Sequence, residues 1–251
     1  MKVLITGASS GIGLEMAKYL SKDKHELILV SRSKERLEEI QEKLPTKVTI
    51  IVADLSDEQK VKELYAFIKK LDIDVLINNA GFGLFGYFSD TDLSREMEMI
   101  DANIKAVHIL TKQVLKDMEK KDSGYILNVA SSAAFQPGPL MATYYATKSY
   151  VYNLSMAIYE ELRREKSNVK IHILCPGPVD TGFNERANVK FGVKSLKSSD
   201  VVKYALKCVN KNKVLIIPGT TMKLGIFGTR FMPRKLLAKT IYNIQNAKTL
   251  Q

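Results

Sequence analysis

The sequence predicts an α/β fold in which a doubly wound parallel sheet of about seven strands lies between two layers of helices. Three observations predict it: short β-rich runs alternate with segments of helical period, no repeat or linker divides the chain, and a glycine-rich turn follows the first strand. Such alternation requires right-handed crossovers, which cover both faces of a parallel sheet. A chain of 251 residues suits one three-layer domain of this Rossmann type.

The elements can be assigned in chain order. Strands are predicted at residues 3–5, 26–30, 48–52, 75–77, 126–129, 170–174 and 214–217. Helices are predicted at residues 12–21, 34–43 and 58–70, near 95–119 and 144–165, and from Pro233 onward. Ligands of such sheets bind beyond the carboxyl ends of the strands, where the strand order reverses. The motifs described below all lie at a strand end or on the helix that follows.

The turn after the first strand is a candidate phosphate-binding site. Glycine lets the backbone turn tightly and approach a pyrophosphate, and the helix N-terminus behind it offers free N–H groups. The spacing of Gly7, Gly11 and Gly13 differs from the ordinary G-x-G-x-x-G fingerprint, so a plain turn is the alternative. The residues expected to hold the pyrophosphate are Gly7, Ser9, Ser10, Gly11, Ile12 and Gly13.

The end of the second strand predicts which dinucleotide binds. NAD(H) favours an acid here, which accepts hydrogen bonds from the ribose. This chain has Ser31, Arg32 and Ser33 instead, and the guanidinium can form paired bonds to a 2′-phosphate. NADP(H) is therefore the predicted cofactor, and a surface arginine at a helix start is the alternative.

Further motifs give the chain a resemblance to the short-chain dehydrogenase/reductase family over almost all of residues 1–185. The glycine turn resembles the family's TGxxxGxG, and residues 78–81 match its NNAG segment. The resemblance implies cofactor contacts from Asp54, Leu55, Asn79, Ala80, Gly81, Tyr144, Lys148, Pro176, Gly177, Val179 and Thr181. It also implies four catalytic residues: Asn103, Ser131, Tyr144 and Lys148.

The chemistry of these side chains agrees with the implied roles. Tyr144 and Lys148 are four residues apart on a predicted helix and so share a face. A phenol has a pKa near 10, which a neighbouring ammonium lowers, so Tyr144 is the expected general acid/base. Ser131 can bond the substrate oxygen as charge develops there. The resemblance further implies that Asn103 holds a water that relays protons to Lys148.

Two neighbours compete for these assignments. Tyr145 is three residues from Lys148 and could share its face, and Ser132 follows Ser131 directly. The family spacing Y-x-x-x-K selects Tyr144, and the gap of thirteen residues selects Ser131.

The net charge of +11 is concentrated in the last quarter of the chain. Residues 1–185 carry a net charge of −2, whereas residues 186–251 hold 14 Lys and Arg against Asp200 alone. This asymmetry indicates an anionic partner, either an anionic membrane surface or an acyl carrier such as CoA. The preferred alternative is a helix packed on its own domain or a dimer mate. Nucleic acid is not expected, because aromatic residues do not interleave with the basic ones.

The remaining features exclude other classes of protein. Two cysteines are too few for a disulfide framework, and three isolated histidines (His25, His108 and His172) predict no metal site. No apolar run approaches the roughly 20 residues that span a bilayer, and the first apolar run is too short for a signal peptide. A cytoplasmic protein is expected, with peripheral contact at the inner membrane surface as the alternative.

The sequence also suggests how the substrate is bound. Residues 1–218 are interpreted as the catalytic domain, with a substrate loop at 182–200, and residues 219–251 as a basic apolar extension packed on it. The resemblance implies a pocket lined by Phe82, Leu84, Phe85, Gln136, Pro137, Phe183 and the region 184–198. The many apolar side chains among them favour an apolar substrate, and a loop that packs on the core is the alternative. The chain lacks the VDGG-like ending of the tetrameric fatty-acid reductases. Its ending resembles instead a bacterial branch of uncertain substrate that is sometimes grouped with the long-chain 3-oxoacyl-CoA reductases.

The predicted function is an NADP(H)-dependent oxidoreductase, with a dimer expected from the resemblance. It would interconvert a carbonyl and an alcohol on an apolar substrate, such as a 3-oxoacyl thioester. The alternatives are an NADPH-binding sensor and a membrane-associated regulatory protein, each with little catalysis. The complete catalytic set disfavours the sensor.

Overall fold

The computed structural model describes residues 1–181 and 195–247. Its strands are β1 (Lys2–Thr6), β2 (Glu26–Ser31), β3 (Val48–Val52), β4 (Val75–Asn78), β5 (Tyr125–Val129), β6 (Lys170–Leu174), β7 (Val179–Asp180), β8 (Leu196–Lys197) and β9 (Leu215–Ile216). Seven of them form one parallel sheet in the order β3-β2-β1-β4-β5-β6-β9, and β7 pairs with β8 separately. The strand order reverses between β1 and β4, which places the ligand crevice above this junction.

Helices cover both faces of the sheet. They are α1 (Gly11–Lys22), α2 (Lys34–Lys43), α3 (Glu58–Ile68), α4 (Leu93–Ile100), α5 (Ala106–Lys120), α6 (Ala142–Arg164), α7 (Ser198–Val209), α8 (Thr220–Thr229) and α9 (Arg234–Asn246). The predicted three-layer, doubly wound fold in a single domain is confirmed.

Alternating side chains of each strand build two cores, one on each face of the sheet. Val3 and Ile5 pack with α1 and α7 on one face. Leu4 packs with α3, α5 and α6 on the other. Both faces are therefore apolar, as the near-continuous hydrophobic strands require.

The helix predicted near residues 95–119 is interrupted in the structure. A π-helical turn at Asp101–Lys105 separates α4 from α5. Such turns widen the helix by one residue and are frequent at functional sites. Here the turn holds Asn103, which is fully buried.

Two helices of the last quarter, α7 and α8, lie where the sequence did not predict a helix. Gly225 and Gly228 lower the helical propensity of α8, and Pro218 with Gly219 indicates a turn just before it. The helix that Pro233 was predicted to begin is α9. It buries Leu237 and Ile241, whereas Leu236 and Ile244 of the same apolar pattern are exposed. Among the described helices, none has the length and apolar character needed to cross a bilayer.

Candidate active site

The glycine-rich turn connects β1 to α1 and adopts a conformation that only glycine takes without strain. Gly7 and Gly11 have φ values of 65° and 55°. A Cβ on Gly13 would collide with the Gly7 carbonyl and lie 2.5 Å from Asn79 Nδ2. The turn therefore leaves the N-terminus of α1 open to an anion, and Gly13 serves the packing of the turn rather than the lining of the site.

Hydrogen bonds fasten this turn to the end of β4. Thr6 Oγ1 accepts from the backbone N–H groups of Asn79 (3.0 Å) and Ala80 (3.1 Å). Asn79 Nδ2 donates to the carbonyls of Thr6 (3.0 Å) and Gly7 (3.1 Å). The two strands that flank the switch point thus end in one rigid unit.

The side chains at the end of β2 form a polar corner of the site. The Arg32 guanidinium lies 3.8 Å from Asp54, and both side chains are exposed. Burial opposes ionisation of Asp54, but hydrogen bonds from Ser56 and the nearby Arg32 charge outweigh it and lower the pKa of that carboxyl. Ser31 Oγ accepts from the Ser33 N–H at 3.1 Å. Arg32 is therefore held loosely enough to turn toward a phosphate.

Three predicted catalytic side chains converge beside the end of β5. Tyr144 and Lys148 project from the same face of α6, with Lys148 Nζ 5.9 Å from the centre of the Tyr144 ring. Ser131 begins the short helical turn after β5 and hydrogen bonds to Tyr144. Lys148 Nζ also donates to the Val129 carbonyl at 3.0 Å. The constellation can therefore exchange a proton at the tyrosine hydroxyl.

Burial controls the titration of this cluster. It raises the pKa of Tyr144, although the hydrogen bond with Ser131 acts in the opposite direction. It also lowers the pKa of Lys148 to about 8. Desolvation is the largest of these effects on Tyr144, and the lowering of its pKa by Lys148 stays a prediction. Burial likewise raises the pKa of the neighbouring Cys175 thiol to about 12, so this cysteine is unreactive.

Asn103 lies beside Lys148 but does not line the cavity. Its Nδ2 donates to the Phe82 carbonyl (2.9 Å) and to Thr147 Oγ1 (3.1 Å), and its Oδ1 accepts from the Phe82 N–H (3.1 Å). A Cβ on Gly81 would lie 2.7 Å from that oxygen. Asn103 therefore positions the loop after β4 against α6. The water-holding role stays a prediction.

The segment after β6 closes over the glycine turn. The Pro176 carbonyl accepts from the Ser132 N–H at 2.8 Å. A Cβ on Gly11 would lie 3.0 Å from Thr181 Cγ2. Gly177 lies directly against the Met222 side chain of α8. The segment thus bridges the dinucleotide side of the site and the C-terminal helices.

These groups surround one cavity of about 730 Å³, a size typical of small-molecule sites. Among the predicted site residues, all except Gly13 and Asn103 line it. Of the predicted pocket residues, Phe82 and Gln136 line the cavity, but Leu84, Phe85 and Pro137 do not. Phe183 and residues 184–194 lie outside the described part of the chain.

Sequence reasoning missed one wall of the cavity, which the C-terminal helices supply. Met222, Ile241, Ile244 and Gln245 line it together with Tyr145. Gln245 Nε2 donates to the Tyr145 hydroxyl at 2.6 Å, and Gln245 is buried. The Tyr145 ring lies against Gly138, where no larger residue fits. The four-residue spacing of Leu237, Ile241 and Gln245 indicates a buried helix face, but it does not predict that this face packs against the cavity.

Two of the histidines have structural contacts. His108 Nδ1 lies 2.8 Å from the Tyr150 hydroxyl, and His172 Nδ1 lies 2.8 Å from the Lys213 carbonyl. Within residues 1–181 and 195–247, no group of three His, Cys, Asp or Glu side chains could hold a metal ion.

The fold and the site together define an α/β protein with a dinucleotide-type crevice and a tyrosine–lysine pair at its reactive end. A family model described as short chain dehydrogenase matches residues 1–190. An uncharacterized oxidoreductase of Staphylococcus epidermidis is 35% identical over 224 residues, which span 86% of this chain and 96% of the relative. The chain belongs to the short-chain dehydrogenase family and is an oxidoreductase of that family.

Solved structures agree with this assignment. A short-chain dehydrogenase from Sphingobium yanoikuyae in complex with NADPH is 27% identical, with a TM-score of 0.83 over 91% of this chain and 93% of that chain. A short-chain dehydrogenase/reductase from Burkholderia phymatum in complex with NAD is 21% identical, with a TM-score of 0.82 over 90% of this chain and 91% of that chain. The latter likeness shows the shared fold.

Proposed function

We propose that this protein is an NADP(H)-dependent oxidoreductase that interconverts an apolar carbonyl compound and its alcohol, with Tyr144 as the general acid/base. The observation that carries the proposal is the joining of two features in one cavity. The glycine turn and Arg32 line one end, and Ser131, Tyr144 and Lys148 line the other.

The residues present fit a nicotinamide dinucleotide. The turn at Gly7 and Gly11 exposes backbone N–H groups at a helix N-terminus, which suits a pyrophosphate. Arg32 stands where NAD(H) would favour an acid, which supports a 2′-phosphate and hence NADP(H). The relative from Sphingobium, which binds NADPH, agrees with this preference. When bound, the cofactor supplies or accepts the hydride.

Side chains of the protein itself would transfer the proton that accompanies the hydride. The Tyr144 hydroxyl would donate a proton to the substrate oxygen in reduction and take it back in oxidation. Ser131, which bonds Tyr144, would also bond that oxygen and so hold it at the phenol. The Lys148 ammonium, fixed by the Val129 carbonyl, would favour the phenolate once a proton leaves.

The wall formed by the C-terminal helices supports an apolar substrate. Met222, Ile241 and Ile244 present aliphatic side chains to the cavity, and Gln245 with Tyr145 adds polar groups. We therefore assign residues 219–247 to the catalytic unit, as its substrate-side wall. A 3-oxoacyl thioester is one substrate of this class.

Replacing Tyr144 by Phe tests the proposal. The variant loses the transferable proton but keeps the ring, so turnover should fall about 10²–10⁴-fold, while the Kd for NADPH should change little. NADPH oxidation with a panel of apolar ketones measures the first quantity, and NADPH fluorescence titration measures the second.

Tyr145→Phe is the matched control, because it removes a neighbouring hydroxyl that bonds Gln245 instead. It should keep most of the turnover. Equal turnover in wild-type protein and Tyr144→Phe would overturn the assignment, and a wild-type protein that binds NADPH but reduces nothing would favour the sensor alternative.

A further inference from the structure

We propose that the outer face of α8 docks on an anionic lipid bilayer. This docking face consists of Lys223, Leu224 and Phe227 of α8, together with Arg230 and Phe231 of the turn that follows the helix. Leu224, Phe227 and Phe231 are 72%, 56% and 74% exposed, among the highest values of the large apolar side chains in the described residues. A cluster of large apolar side chains in water marks an interaction surface.

Helical spacing places Lys223, Leu224 and Phe227 on one side of α8, and the hydrogen-bonded turn after it carries Arg230 and Phe231. Lys223 and Phe227 are four residues apart, and Phe227 lies three residues before Arg230. The rings of Phe227 and Phe231 contact each other with centres 5.2 Å apart. The opposite side of the helix is occupied, because Ile226 is buried and Met222 contacts Gly177. The exposed side chains therefore have no place in the protein's own core.

Charge decides what kind of partner this face fits. Residues 219–247 contain five cations and no acid: Lys223, Arg230, Arg234, Lys235 and Lys239. Phenylalanine and leucine beside lysine and arginine are the composition of interfacial membrane segments. An isologous contact between two copies would set like charges against each other. An anionic bilayer instead attracts the cations, and its interfacial region can bury the phenylalanine rings.

The docking face lies on the outside of the cavity wall. Met222 lines the cavity from α8, while Ile241 and Ile244 line it from α9. Ile244 is itself 47% exposed, so it reaches both the cavity and the surface. Docking would thus bring the cavity wall close to the bilayer, from which an apolar carbonyl could enter. That delivery step rests on the proposed function, whereas the docking does not.

Co-sedimentation with vesicles tests the docking on the full chain. Wild-type protein should bind vesicles of equal parts phosphatidylglycerol and phosphatidylcholine, and it should bind pure phosphatidylcholine far less. Phe227→Ser with Phe231→Ser should weaken binding at least tenfold. Each cation near an anionic leaflet contributes a factor of about five, so Lys223→Gln with Arg230→Gln should weaken it about 25-fold.

Matched controls show whether binding depends on the place of the substituted residues or only on the loss of a ring or of positive charge. Phe67→Ser removes a ring that is 47% exposed on α3. Lys207→Gln with Lys211→Gln lowers the net charge equally, at the end of α7. Both controls should bind like wild type. None of the substituted residues lines the cavity, so NADPH-dependent reduction of a water-soluble ketone should persist in all variants.

Several outcomes would overturn the docking proposal. One is that wild-type protein does not bind anionic vesicles, and another is that the controls lose as much binding as the α8 variants. A third is that the Phe227 and Phe231 substitutions convert a dimer to a monomer, as measured by light scattering. A wild-type protein that reduces no ketone would contradict the proposed function instead. Failure of the docking proposal and failure of the proposed function are therefore distinguishable.

Discussion

At the scale of single residues, the site depends on how burial sets the charge of each group. Tyr144 and Lys148 share a face of α6, yet desolvation moves both toward their neutral forms. The hydrogen bond from the Lys148 ammonium to the Val129 carbonyl offsets part of the free-energy cost of burying the charge. Lys148 is therefore a buried charge held at a cost in stability, and we propose that it serves the chemistry of the site.

Lys148→Met should abolish activity and raise the free energy of unfolding at neutral pH by about 1–3 kcal/mol. The pKa of Lys148 falls from 10.5 to about 8 on folding, so the folded protein binds the proton less tightly than the unfolded chain. The full cost of burying the charge applies below about pH 8 and is relieved as pH rises toward 10.5. The gain from the substitution should therefore shrink over that window.

Urea unfolding of both proteins at neutral and alkaline pH measures this difference. Lys148→Arg serves as a control, because it keeps a cation that cannot lose its proton. A methionine variant less stable than wild type at neutral pH would show that the hydrogen bond to Val129 outweighs desolvation.

Arg32→Ala should weaken NADPH binding about 10–100-fold, the cost of losing charge-assisted hydrogen bonds to a phosphate. NADH binding should change little, because NADH has no 2′-phosphate. Fluorescence titration with both nucleotides gives the two Kd values. Arg164→Ala, an exposed arginine at the end of α6, is the control and should leave both unchanged. Equal losses for NADPH and NADH would refute the assigned role of Arg32.

At the scale of elements, the junction between β1 and α1 packs backbone against backbone. Gly13 lets the first turn of α1 lie directly on the Gly7 carbonyl and the Asn79 amide. By contrast, a Cβ on Gly228 of α8 would meet nothing within 4 Å. The two helical glycines therefore differ in their surroundings: Gly13 is closely packed in α1, whereas Gly228 faces open space in α8.

Gly13→Ala should destabilise the protein by about 1–3 kcal/mol, because the added methyl forces backbone apart. Gly228→Ala should be neutral or stabilise by up to about 1 kcal/mol through helix propensity. Chemical denaturation of both variants compares the two sites directly. Matching stabilities would mean that the turn relaxes without cost.

At the scale of the whole molecule, the cavity is completed by a segment far along the chain. Gln245 and Tyr145 are 100 residues apart in sequence but hydrogen bonded. Tyr242 and Tyr87 form a second such contact, with their hydroxyls 2.8 Å apart. These contacts hold α9 against α6 and against the loop after β4.

Gln245→Leu should alter the preference among ketones and raise KM severalfold, while the Kd for NADPH stays the same. The reason is that Gln245 lines the cavity beside Tyr145 and not beside the glycine turn. Steady-state kinetics on short and long apolar ketones measures the change. Asn243→Leu, an exposed position on α9, is the control. A weakened affinity for NADPH would place Gln245 in a general structural role.

Strand and helix positions were largely predictable, because periodicity and flanking turn residues are local signals. The helices predicted at residues 12–21 and 34–43 match α1 and α2 within one residue. The π-helical turn at Asp101–Lys105 was not predictable, because it depends on Asn103 bonding to the backbone of Phe82, 21 residues away.

The sequence by itself determined the succession of the seven strands of the main sheet along the chain, the glycine turn at the switch point and the grouping of Tyr144 with Lys148 on one helix face. Each of these follows from local spacing along the backbone. Only the tertiary structure decided the protonation tendency of that pair and the wall that Ile241 and Gln245 build. Burial and long-range contacts depend on which surfaces meet, and no short stretch of sequence encodes that.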